Sequence, residues 1–164
     1  MAGHCILISV GSNIDREYYT RASIKALAKH FNSIRCSSVY ESESVGFAGS
    51  PFYNLVVSAK TTLSVNDVCQ VLKKIEREHG RKHHEKKFCS RTLDLDLLTY
   101  DDKVISTPVV LPREEILYNA FVLWPLAELV PQRKHPSTGR SYQSLWDDFD
   151  KQKQHLWPIN FSWS

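Results

Sequence analysis

Apolar and polar positions alternate with two periods along this chain. "HCILISVGSN", residues 4–13, is almost continuously apolar until Gly11, Ser12 and Asn13, which predicts a buried strand running into a turn. Ile24, Leu27, Ala28 and Phe31 recur at helical spacing, predicting a helix over about 16–31 with Asp15 as N-cap. "SIRCSSVYES" and "FYNLVVSAKTT" return to the strand pattern, and their closeness in sequence predicts that they pair. Between them, "SVGFAGSP" is punctuated by Gly46, Gly49 and Pro51 and reads as a loop. Ser64, with Asp67 three residues on, opens a second helix that carries Val65, Val68, Leu72 and Ile75 on one face and ends at Gly80.

Downstream, "LDLDLLTY" is a further strand, and "EEILYNAFVLWPLAELV" is helical in part, with Pro125 expected near a helix start. Pro131 to Gly139 reads as a loop and "YQSLWDDFDK" as a short amphipathic helix. The order β-α-β-β-α-β with C-terminal additions predicts an α+β fold. Helices would pack on a mainly antiparallel sheet with a ferredoxin-like βαββαβ core. With no repeat, linker or low-complexity tract, residues 1–164 read as a single domain.

Composition narrows the class. At 42% hydrophobic and 24% charged residues, the chain is an ordinary globule rather than a disordered tail. No apolar run reaches the roughly 20 residues that cross a bilayer. The start lacks a basic n-region, so no signal peptide and no membrane partner are expected. The four cysteines are widely spaced with no C-x-x-C pair, which argues against a zinc cluster and for the reducing cytoplasm. A formal net charge of +3 admits an anionic ligand without requiring nucleic acid.

The candidate chemistry sits in "KFCSRTLDLDLLTY", residues 87–100. Asp94 and Asp96 alternate with leucines, so both carboxylates share one strand face, where they repel and are costly to desolvate. Magnesium resolves the conflict, since it takes one or two carboxylates together with substrate phosphates. A D-x-D alone is equally an exposed strand face. Upstream, however, "GRKHHEKKFCSR" gathers Arg81, Lys82, His83, His84, Lys86, Lys87 and Arg91 around Glu85. A cationic loop beside an acidic metal site is the electrostatic pattern of phosphoryl transfer. No G-x-x-x-x-G-K-[ST] loop occurs.

Strand-"GSN", "FYN", "R-x-x-D-L-D-L-L" and "AFVLWPLAEL" follow in that order, and the chain resembles the 6-hydroxymethyl-7,8-dihydropterin pyrophosphokinase family over roughly residues 5–150. The resemblance implies transfer of pyrophosphate from ATP to a pterin hydroxymethyl oxygen, with release of AMP. It implies that Asp94 and Asp96 hold two magnesium ions. It makes Arg81 and Arg91 catalytic, and places Lys87 and Arg113 with them on ATP. Phe52 and Phe121 would stack on the pterin, Asn54 would read its edge, and Ser42 and Val45 would border it. Flat heteroaromatics favour ring faces above and below, and an amide can both donate and accept. The expected partners are ATP and a reduced pterin, with the protein a monomer.

The chain departs from the family pattern at four positions. Cys89 replaces a glycine or alanine, His83 a common arginine, Arg113 a histidine and Asn119 an arginine. An arginine can supply charge at position 113 but not the geometry or titration of a histidine. Two alternatives follow. One is a divergent pterin- or nucleotide-binding relative with weak or altered transfer. The other is a single-stranded RNA binder using the basic loop and sheet aromatics, although the D-x-D would repel its phosphates.

Overall fold

The computed structural model describes residues 3–42, 51–80, 93–152 and 154–163. A continuously apolar strand is one covered on both faces, and β1 (His4–Ser12) takes that place inside the sheet. Ile6, Ile8 and Val10 enter one core and Leu7 the other. The chain continues through α1 (Arg16–His30), β2 (Asn32–Cys36), β3 (Val39–Ser42), β4 (Phe52–Thr61), α2 (Val65–Glu78) and β5 (Asp94–Tyr100). A 3₁₀ turn (Glu114–Leu117), α3 (Ala120–Leu129), α4 (Tyr142–Asp147) and β6 (Leu156–Ile159) complete it.

Among the described residues six strands form one sheet in the order β5-β1-β4-β3-β6, with β2 also on β4, and every pairing there is antiparallel. The expected strand at 33–42 is two strands sharing one edge of β4. At the break, Ser37 N–H donates to the Val56 carbonyl and the Ser37 hydroxyl accepts from Val56 N–H, so the ladder stays satisfied. With β2 and β3 counted as one interrupted strand, the βαββαβ order holds and is compatible with a ferredoxin-like core. The fold is α+β, as the pattern predicted.

Two apolar layers hold the sheet. Leu27 of α1 and Val68, Leu72 and Ile75 of α2 pack with Ile6, Leu55 and Leu95 on one face. Val122, Leu123 and Leu126 of α3 and Tyr142 and Trp146 of α4 pack with Leu7, Val56 and Leu98 on the other. The Ser64 cap forms as expected, its hydroxyl accepting from Asp67 N–H at 3.2 Å. Gly80, at φ 93°, follows the end of α2.

Several local expectations change. Gly11 and Ser12 remain within β1 instead of turning. Asp15 precedes α1 in a left-handed conformation (φ 45°) and its side chain caps nothing. Ala28 is exposed, and Thr20, Ser23 and Leu27 form the buried stripe of α1. Pro125 lies in the middle of α3, where it lacks the N–H for the Phe121 carbonyl; apolar packing on the sheet holds the helix instead. β6 was not foreseen, because Pro158 demotes a strand reading, and it is an edge strand on β3.

Candidate active site

The face of the sheet beneath α3 collects the polar residues. In register across four strands stand Asp94 of β5, Gly11 of β1, Asn54 of β4 and Tyr40 of β3. One row over, Asp96 faces Ser9. Strand neighbours are roughly 4.8 Å apart, so Asp94 and Asn54 lie about 10 Å from each other across the sheet. The predicted shared face of the two aspartates is therefore real. The carboxylates and the amide point to the same side because directly paired residues share a face.

Gly11 keeps the middle of this row open. A Cβ there would lie 3.1 Å from Asn54 Oδ1 and 3.6 Å from Phe52 Cδ2, so Phe52 and Asn54 both reach over β1. Asn54 is buried, and its Nδ2 donates to the Ser42 hydroxyl at 2.7 Å, which fixes the amide. Phe52 is half-buried, as is Phe121 on α3 above the same face.

Asp96 carries the strongest electrostatic tension. Burial raises its carboxyl most and the neighbouring Asp94 charge adds to that; Arg113 pulls it down, while Glu115 and Glu76 push it up again. The outcome is about 7, against an ordinary 3.8. The side chain is still 24% exposed, so a ligand can reach it. Arg113 Nη2 stands 3.2 Å from Asp96 Oδ1, and Arg113 Nε donates to Glu115 Oε1 at 3.3 Å. Burial works against the Arg113 charge, but Asp96 and Glu115 outweigh it and keep the guanidinium protonated.

The backbone explains why Arg113 is there. The β1–β5 register slips between Leu7 and Ile8, so Leu98 is an extra residue in β5. Its carbonyl accepts from Arg113 N–H at 2.9 Å, bringing the 111–113 segment alongside the aspartate strand. On the same edge, buried Glu76 of α2 accepts from Leu95 N–H at 2.7 Å, between the two aspartates.

The structure thus brings together Asp94, Asp96, Asn54, Ser42 and Phe52 on one sheet face, with Phe121 above it and Arg113 at its rim. Val45, Arg81, Lys87 and Arg91 lie outside the described residues, as do His83 and Cys89. Asn119 immediately precedes α3, its Nδ2 within 3.4 Å of Glu115 Oε2. Sequence reasoning missed Gly11, Ser9 and Glu76. A glycine inside a strand was the available signal for the first, since it often marks close approach. The other two had none. A separate cleft of about 630 Å³, bounded by Trp124, Trp146, Lys151 and Trp157, contains none of the predicted site residues.

Among the described residues no three side chains form a complete metal cluster. Two reachable carboxylates that repel each other suit a hard cation that draws its remaining oxygens from phosphate and water. The donor set therefore fits magnesium.

The model of the 7,8-dihydro-6-hydroxymethylpterin-pyrophosphokinase (HPPK) family matches residues 7–131. The proteins named 2-amino-4-hydroxy-6-hydroxymethyldihydropteridine pyrophosphokinase from Aquifex aeolicus and Bacillus subtilis are each 35% identical to this chain. The matches cover 80% of this chain and 83% and 81% of those relatives. The folate synthesis bifunctional protein of Arabidopsis thaliana is also 35% identical, over 76% of this chain and 27% of its own length. Among solved structures, wild-type Plasmodium falciparum HPPK-DHPS aligns with a TM-score of 0.70 at 14% identity. That match covers 89% of this chain but only 44% of the solved one, and it speaks for the fold. With the family model spanning most of its length, this chain belongs to the 7,8-dihydro-6-hydroxymethylpterin-pyrophosphokinase family.

Proposed function

We propose that this chain transfers pyrophosphate from ATP to the hydroxymethyl oxygen of 6-hydroxymethyl-7,8-dihydropterin, a step of folate biosynthesis. The hydroxymethyl oxygen bonds to the β-phosphorus, the bond from that phosphorus to the bridging oxygen of the α-phosphate breaks, and AMP leaves. The hydroxyl proton passes to solvent or to a phosphate oxygen. The observation that supports the reading is the row Asp94–Gly11–Asn54, which sets the Asp94 carboxylate, with Asp96 beside it, and the Asn54 amide about 10 Å apart on one face. Family membership supplies the reaction.

Each residue then has a task. Asn54, braced by Ser42, presents its amide to the pterin edge, with Phe52 and Phe121 as ring faces on either side and Val45 on the border. Asp94 and Asp96 would hold the two magnesium ions, whose charge would neutralise the triphosphate and the charge that develops on it. Arg81 and Arg91 grip the transferring group through paired hydrogen bonds, and Lys87 and Arg113 serve the remaining phosphate oxygens. Residues 1–164 act as one domain and as a monomer in the cytoplasm, with no nucleic-acid or membrane partner. No helix among the described residues is long and apolar enough to cross a membrane.

The test is incubation with ATP, magnesium and 6-hydroxymethyl-7,8-dihydropterin. AMP and the pterin diphosphate are expected. Formation of ADP, or no nucleotide turnover at all, would refute the reading.

A further inference from the structure

We infer that Arg113 serves as the internal counter-ion of Asp96 in the metal-free protein, so that the carboxylate exchanges the guanidinium for the metal when magnesium and ATP arrive together. The inference rests on the magnesium site proposed for Asp94 and Asp96.

Four observations lead there. The Leu98 bulge ties the Arg113 backbone to β5 at 2.9 Å, so the side chain starts within reach of Asp96 by construction. Its Nη2 then lies 3.2 Å from Asp96 Oδ1, an oxygen that a divalent cation would also claim. Nε is held separately by Glu115, so the guanidinium has a second support when Asp96 lets go. Arg113 and Asp96 are 31% and 24% exposed, leaving room for that exchange.

The consequence is a coupling between ligands. A bare divalent cation has to displace the Arg113–Asp96 ion pair and sit beside a positive charge, so it binds poorly alone. The triphosphate changes the balance, because its oxygens accept the released guanidinium through two hydrogen bonds. Metal and nucleotide therefore favour each other, and by linkage the effect is reciprocal. The loading of the site is biased toward the metal–nucleotide complex and away from free metal.

Manganese binding without nucleotide, followed by electron paramagnetic resonance in mildly alkaline anaerobic buffer so that the carboxylates are ionised in wild type and variants alike, tests this directly. Arg113→Gln and Arg113→Met remove the charge, the second keeping the apolar stem, and either one that melts cooperatively suffices. Both should bind manganese about tenfold more tightly than the wild type, while affinity for a non-hydrolysable ATP analogue with saturating magnesium falls by a similar factor. A merely structural role would weaken both. Manganese affinity equal to or below that of the wild type in the folded variants overturns the inference. Asp96→Asn provides the separate check: manganese binding that survives it overturns the metal site itself, and with it the proposed function of the aspartates.

Discussion

Asp94 and Asn54 stand in one row across the sheet, with Gly11 between them on β1. The missing side chain at Gly11 is what lets Asn54 and Phe52 lean over β1. Gly11→Ala would place a methyl group 3.1 Å from an amide oxygen whose partner nitrogen is already bonded to Ser42. The pterin KM is expected to rise about tenfold, roughly 1.4 kcal/mol, with a smaller change for ATP. Steady-state kinetics varied in each substrate separately check this; an unchanged pterin KM sinks the role of the row.

Removing one charge should stabilise the metal-free protein. The Asp96 carboxyl is raised from 3.8 to about 7 in the fold, so between these values the folded state binds more protons than the unfolded one. Its favourable contribution is complete below about pH 4 and is lost as pH rises through 7. Asp96→Asn should therefore gain stability over the wild type across that window, reaching roughly 2 kcal/mol near neutral pH after allowance for remaining exposure. It should also abolish transfer. Denaturant melts from pH 4 to 8 without divalent cations are the measurement, and a gap that shrinks with rising pH contradicts the argument.

His135 should give the opposite limb. The ring is buried, and its Nδ1 accepts from the backbone N–H groups of Ser137 and Thr138 at 3.2 and 3.1 Å. Burial lowers its pKa below the ordinary 6.5, so its contribution is present above that value and is lost as pH falls through the lower folded one. His135→Asn keeps an acceptor that cannot protonate in this range. Thermal melts from pH 7.5 to 5 should show a steeper acid loss for the wild type than for the variant.

Glu76 ties α2 to the aspartate strand. Glu76→Ala leaves the buried Leu95 N–H without its acceptor and should cost about 1–3 kcal/mol. Glu76→Gln retains an oxygen at that place and should lose less. Chemical denaturation of both variants decides, and equal losses would show that the bond to Leu95 is not the source.

The sequence by itself determined the kinds of element and much of the chemistry. Periodicity is a local property, so the strand at β1, the Ser64-capped helix and the alternating aspartates could be read directly from neighbouring residues. The family's quoted motifs likewise preserve their order, which is why candidate pterin and metal residues could be proposed before any fold was known. Pairing is a different matter. That Gly11 separates Asp94 from Asn54 depends on register between strands more than 40 positions apart in the chain, and no local pattern encodes it. The Leu98 bulge, and with it the placing of Arg113 on Asp96, arises from the same long-range pairing. β6 and the mid-helix Pro125 contradict local propensity and are held by neighbours distant in sequence. Tertiary structure decided these features because burial and ladder hydrogen bonds outweigh the small preferences of single residues.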